Sequence, residues 1–267
     1  RTPLFLVHAL EGHAFAYRDL ARALSPDRPV YALRAKGLEP NEAPLSEVER
    51  MAAQYLDEVR RVQARGPYVL GGWSAGGTIA FEMARQLAHA EKDAVSLVLL
   101  DAFAPDGTAF GLEAELALLA ALGNELALRA GLAIEGLTPG ELSRLPAPDR
   151  IAYLVERALG GRALVAELAG WRPEALVRVA LANARALATY RPTPYAGPAL
   201  LLKASVRREA AGPSPEQGWA SLAPNLLTQE VEGDHHGIVR PPHVRGLAEA
   251  LDRWLDLRPH EPTAAPP

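Results

Sequence analysis

Gly71-Gly72-Trp73-Ser74-Ala75-Gly76-Gly77 follows the short apolar run Tyr68-Val69-Leu70 and precedes a stretch, Thr78 to Ala88, in which Ile79, Met83, Ala84 and Leu87 recur at helical spacing. A G-x-S-x-G pattern at a strand-to-helix junction is the setting in which a serine becomes a nucleophile. The backbone is strained there, and small neighbours let strand and helix close up so that the hydroxyl projects into a cleft. Gly72 and Gly76 supply the room. The helix that follows directs unpaired N–H groups and the positive end of its dipole beside Ser74, which suits a tetrahedral oxyanion. A plain Gly-rich turn would spell the same letters, so the remaining groups of an acyl-transfer site have to be found elsewhere in the chain.

Outward from this turn, strand-like runs recur at Leu4–Val7, Val30–Leu33, Tyr68–Leu70, Val95–Leu100, Ala199–Leu202 and Leu226–Val231, most of them beside a helical pattern. That alternation predicts an α/β fold with a mostly parallel sheet covered on both faces. Between Leu45 and Val62 the apolar residues Leu45, Val48, Met51, Ala52, Tyr55, Leu56, Val59 and Val62 step by three or four, with charges between them, which predicts an amphipathic helix on the sheet. From about Gly107 to Tyr190 the rhythm changes to Ala- and Leu-rich helical stretches with no convincing strand, broken at Gly123, Gly131, Thr138-Pro139-Gly140 and Pro146-Ala147-Pro148. We read residues 107–190 as an inserted helical lid; ordinary peripheral helices would carry the same pattern.

The chain has 267 residues, 49% of them hydrophobic, enough for one large core, so residues 1–258 are expected to form a single domain. A net charge of −4 and scattered Lys and Arg argue against nucleic acid or an anionic membrane as partner. The run Leu4-Phe5-Leu6-Val7 is too short to span a membrane. With no cysteine there is neither a disulfide framework nor a thiolate metal site, which suits a cytoplasmic enzyme. No His, Asp and Glu cluster has metal-ligand spacing, and no loop matches a dinucleotide or phosphate fingerprint, so no bound cofactor is implied. The chain begins at Arg1 rather than Met and ends in a Pro-rich stretch, residues 259–267, expected to be disordered; both features suggest a domain cut from a longer polypeptide.

A nucleophilic serine needs a general base and a carboxylate that holds the base in the right tautomer. Of the 7 histidines, His13, His89 and His260 fall in helix-like or tail segments, His8 follows the first strand and His243 lies in the last helical stretch. His235 and His236 sit in the loop directly after Leu226–Val231, where an open α/β sheet places its active-site groups. Adjacent residues cannot both face Ser74, so one of the two is the base. The run Val95–Leu100 delivers Asp101 to the same sheet edge, and Asp101 is the carboxylate of choice. Glu209, the first acid after Ala199–Leu202, is a weaker rival, and Asp234, beside His235, reads better as a turn residue. A second oxyanion donor belongs in the loop His8-Ala9-Leu10-Glu11-Gly12, paired with the amide of Ala75.

Taken together, the stretch Gly66 to Ala84, the run Val30-Tyr31-Ala32-Leu33-Arg34-Ala35-Lys36-Gly37-Leu38 and the loop Gly233-Asp234-His235 resemble the thioesterase domains that end modular nonribosomal peptide synthetases and polyketide synthases. The fatty acid synthase thioesterase is a more distant relative. The resemblance implies an α/β-hydrolase fold. It carries the nucleophile onto Ser74, the acid onto Asp101, the base onto His235 and the oxyanion amides onto Leu10 and Ala75. Ala9 departs from the family, many of whose members have proline after the histidine, and the lid has no specific match.

The implied substrate is an acyl, polyketide or peptidyl chain held as a thioester on the phosphopantetheine arm of a carrier protein, itself expected upstream in the same polypeptide. Transfer to Ser74 would be followed by hydrolysis, or by macrocyclisation onto a hydroxyl or amine of the chain itself. A stand-alone proofreading thioesterase or small-ester esterase is the alternative, and a non-catalytic binding module on the same fold is a third.

Overall fold

Among the described residues six strands form one sheet: β1 (Leu4–Val7), β2 (Val30–Leu33), β3 (Tyr68–Trp73), β4 (Val95–Leu100), β5 (Ala199–Ala204) and β6 (Leu226–Val231). Their order is β2-β1-β3-β4-β5-β6, and every neighbouring pair is parallel. The computed structural model describes residues 1–90, 94–132, 136–160, 162, 172–207 and 215–257. The 259–267 tail lies outside these residues.

Parallel pairing needs a crossover between strands, and the crossover helices cover both faces. The sequence shows the consequence in period two. Phe5, Val7, Leu97 and Leu99 point into one apolar cluster, with Met51, Tyr55, Ile79, Phe81 and Met83 of α2 (Val48–Val62) and α3 (Ala75–Ala90). Their strand neighbours Leu4, Leu6, Val98 and Leu100 point into a second, with Leu20 of α1 (Arg18–Ala23) and Leu247, Leu251 and Trp254 of the last helix. Both faces being buried, β1 reads as four apolar residues in a row instead of an alternation.

The chain leaves β1 toward β2 on one side and returns with β3 on the other, so the sheet order reverses between β1 and β3. Loops beyond the carboxyl ends of these two strands diverge and open a crevice, which is where open α/β sheets place their ligands. The strand β3 runs three residues beyond the apolar run Tyr68–Leu70, because Gly71-Gly72-Trp73 continue the ladder opposite Val98, Leu99 and Leu100. Similarly β5 extends through Ala204.

Between β4 and β5 come α4 (Leu112–Arg129), α5 (Pro139–Ser143), α6 (Arg150–Leu159) and α7 (Pro173–Thr189). They enclose an apolar cluster of their own, including Leu116, Leu119, Leu142, Leu154 and Val177. Of these helices α7 also packs on α2 and α3. Thr138 caps α5 in a capping box with Glu141, as its place before Pro139 suggests. Gly123 does not break the first helical stretch as expected: it lies inside α4, where an added Cβ would overlap Leu137 and come within 3.0 Å of Leu154. The glycine is there for close packing. After β5 the described residues form α8 (Pro215–Trp219), β6 and α9 (Val244–Asp256).

Candidate active site

Ser74 and Asp101 are each the first residue past a strand, and each carries a positive φ, 56° and 43°. A left-handed conformation costs a non-glycine residue about 1–3 kcal/mol and persists only where surrounding structure imposes it. Here the ladder imposes it: Ser74 N–H still donates to the Leu100 carbonyl (3.0 Å) and Asp101 N–H to the Leu202 carbonyl (2.8 Å), after which the chain turns sharply. The room for the turn at Ser74 comes from Gly72 and Gly76. A Cβ on Gly72 would overlap the Gly76 backbone, and one on Gly76 would overlap the carbonyls of Val7 and His8. Tyr17 adds a brace, its hydroxyl donating to the Val7 carbonyl and accepting from Trp73 N–H at 2.8 Å.

Asp101 is buried, and its two oxygens are divided: Oδ1 accepts from Ala204 N–H (2.8 Å) and Oδ2 pairs with His235 Nδ1 (2.7 Å). A carboxylate only accepts, so Nδ1 carries the imidazole proton and Nε2 is left with its lone pair. That is the tautomer a general base requires. The ring is fixed from a second side, since Trp73 Nε1–H donates to the His235 carbonyl (2.9 Å) and the two rings lie 5.1 Å apart. Trp73 directly precedes Ser74, so one residue ties the histidine loop to the serine turn.

Of the adjacent pair, His235 meets Asp101, while His236 packs edge-on against Trp73 and His235. Burial first, then the neighbouring His235, lower the pKa of His236. Asp234 acts as a turn former, its Oδ1 accepting the N–H groups of His236 (3.1 Å) and Gly237 (2.7 Å). Glu209 and His260 lie outside the described residues. His13 departs from its helix-like reading: it sits in the loop after β1, where Arg129 Nη1–H donates to its Nε2 at 3.2 Å.

A cleft of about 400 Å³ brings Ser74 together with Leu10 and Ala75, the two residues singled out for their amides, and is walled by Phe103, Phe110, Leu187 and Ala188. Among the described residues neither the Leu10 nor the Ala75 N–H has a protein acceptor. A larger hollow of about 660 Å³ beside β2 contains none of these groups, so chemistry and not size marks the site. Also among the described residues, no group of three or more His, Asp or Glu could hold a metal ion, and no helix is long and apolar enough to cross a membrane.

The serine turn, the buried acid and the oriented histidine thus lie just past β3, β4 and β6 at the carboxyl edge of one parallel sheet, and comparison with known proteins bears out the fold. The profile of the thioesterase domain matches residues 2–255. The chain belongs to the thioesterase-domain family. It is a serine thioesterase of the α/β-hydrolase fold. A dimodular nonribosomal peptide synthase of Bacillus subtilis is 28% identical to this thioesterase over 94% of its chain, and the chain spans 10% of that protein. Among solved structures, holo-AB3403, a four-domain nonribosomal peptide synthetase bound to AMP and glycine, has a TM-score of 0.80 and 30% identity over 97% of this chain and 20% of its own. The NocB thioesterase domain in covalent complex with a fluorophosphonate nocardicin G analogue has a TM-score of 0.63 and 27% identity, over 96% of this chain and 95% of its own.

Three residues at the site carried no functional signal in the sequence reading. Trp73 stood inside the quoted motif with no assigned role, while Tyr17 and Asn183, whose side-chain amide donates to the Leu10 carbonyl at 2.8 Å, reach the site only through folding.

Proposed function

We propose that this thioesterase is a chain-terminating domain that takes an acyl, polyketide or peptidyl chain from the phosphopantetheine arm of a carrier protein onto Ser74 and releases it. The observation that carries the reading is the 2.7 Å Asp101–His235 hydrogen bond beside a cleft that holds Ser74 and two unpaired amides. Ser74 Oγ attacks the thioester carbonyl while His235 Nε2 takes its proton. Asp101 holds the imidazolium that forms. The Leu10 and Ala75 amides stabilise the oxyanion. Collapse breaks the carbon–sulfur bond, the thiolate recovers a proton from His235, and an acyl-Ser74 ester remains. His235 then activates water, giving a free acid, or a hydroxyl or amine of the chain, giving a ring.

In this reading residues 1–258 are one hydrolase domain, and the helices within 107–190 are a lid whose apolar side excludes water from the ester. The carrier is a neighbouring domain of the same polypeptide, as in the multidomain synthetases that this chain resembles. A cysteine-free chain suits a cytoplasmic setting.

The test is a competition. A carrier protein loaded with an acyl or peptidyl thioester is offered beside the matching small oxygen ester. The proposal predicts that kcat/KM for discharging the carrier exceeds that for the ester by at least about tenfold, in keeping with binding energy drawn from the arm. Equal or reversed preference would favour a small-ester esterase.

A further inference from the structure

The Leu10 N–H belongs to the Ala9–Leu10 peptide, which is planar, so whatever holds the Ala9 carbonyl aims that N–H in the opposite direction. The Ala9 carbonyl accepts from His8 Nδ1–H (2.7 Å) and from Gly12 N–H (3.0 Å). On the other side, the Leu10 carbonyl accepts from Nδ2 of Asn183 (2.8 Å), on α7. Asn183 is 2% exposed in a helix otherwise rich in Ala and Leu. Asparagine is a poor helix former, and a buried amide costs free energy unless it is hydrogen-bonded. Local structure therefore gives no reason for it; the bond to Leu10 does. One turn earlier, Val179 fills the space beside Gly12, where an added Cβ would lie 2.6 Å from Val179 Cγ1. One turn later, Leu187 lines the cleft.

We propose that Asn183 is a positioning residue that, from α7, anchors the following peptide, Leu10–Glu11, and so holds in place the loop whose Leu10 N–H serves the oxyanion hole. This rests on the acyl-transfer reading above. Residues 179, 183 and 187 follow each other at four-residue spacing, so one face of α7 grips the loop and borders the acyl cleft.

The test uses a fluorophosphonate, whose phosphoryl oxygen takes the place of the oxyanion. Ser74 Oγ bonds to phosphorus, fluoride leaves, and the serine proton passes to His235. The second-order labelling rate per folded molecule, read by intact mass, is compared for wild type, Asn183→Leu and Asn183→Gln across pH. We expect Asn183→Leu to label about 10- to 100-fold more slowly, below the loss for removing a donor outright. Its pH midpoint should be unchanged, since the Asp101–His235 pair is untouched. Asn183→Gln, which keeps an amide donor, should label at least about five times faster than Asn183→Leu. If Asn183→Leu does not fold, Asn183→Ala takes its place. A folded variant without the donor that labels at the wild-type rate overturns the proposal, as does a loss accompanied by a shifted pH midpoint. Wild-type enzyme that labels but discharges no carrier thioester would instead contradict the proposed function, and leave the Asn183 comparison readable.

Discussion

Asp101 does two things with one carboxylate, and Asn at the same place would do only one of them. The Ala204 N–H could still be accepted, but an amide NH2 facing His235 would force the imidazole to accept at Nδ1 and carry its proton on Nε2, where a base needs a lone pair. Asp101→Asn should lower kcat by about 10³- to 10⁴-fold with little change in KM, as measured by steady-state thioester release. His8 offers a second prediction. Its ring is enclosed, with Nδ1–H donating to Ala9 O and Nε2 accepting from the Tyr55 hydroxyl at 2.7 Å, and burial pushes its pKa down from 6.5 to about 4. Between those values the unfolded chain binds more protons than the folded one. The stabilisation is thus fully present above pH 6.5 and lost as pH falls toward 4, about 3 kcal/mol in all. Urea unfolding of His8→Gln should accordingly show a flatter fall in stability from pH 7 to 4.5 than wild type; parallel slopes would mean that His8 is not the group responsible.

The turn from β3 into α3 is the element on which the site depends, and its tolerance is set by contact between backbones. A methyl group on Gly76 would meet the carbonyls of Val7 and His8, at the start of the loop that carries Leu10. Gly76→Ala should cost about 1–3 kcal/mol or more by denaturant unfolding and should slow phosphonate labelling as well. Gly140, in α5, meets only Thr138 Oγ1 at 3.9 Å, so Gly140→Ala should be neutral or stabilising by up to about 1 kcal/mol. The same turn explains what was legible. G-x-S-x-G between an apolar run and a helical run located the strand-to-helix turn that carries Ser74, because strand, glycines and helix are contiguous. The length of β3 was not, because Gly71 and Gly72 read as a turn while the neighbouring strands make them ladder residues. Gly123 misled in the same way: its small size serves packing against Leu137 and Leu154, a long-range requirement that local sequence does not display.

Across the molecule, the parallel sheet could be read from apolar runs buried on both faces, and Asp101 and the pair His235 and His236 could be placed just beyond strand ends, where the resemblance chose His235 and the structure sets His235 against Asp101. Tyr17, which braces Trp73 from 56 positions away, and Asn183, 173 positions from Leu10, could not, since neither contact has a local spacing. The helices between β4 and β5 close around a cluster separate from the two that flank the sheet. Helices with their own small core open at lower cost than central strands. Amides of α4 and α6 should therefore exchange with deuterium faster than those of β3 and β4, and equal protection would show that the helices open only with the whole domain.

The proposed reaction passes through a covalent ester on Ser74. Intact-mass spectrometry of wild type and Ser74→Ala, each mixed with an acyl thioester of pantetheine and quenched at successive times, tests it most directly. Wild type should acquire an acyl adduct, mapped to the peptide containing Ser74, with thiol released, and a folded Ser74→Ala should show neither adduct nor enzymatic release. Product released by Ser74→Ala at the wild-type rate, or an adduct mapped to another residue, would contradict it.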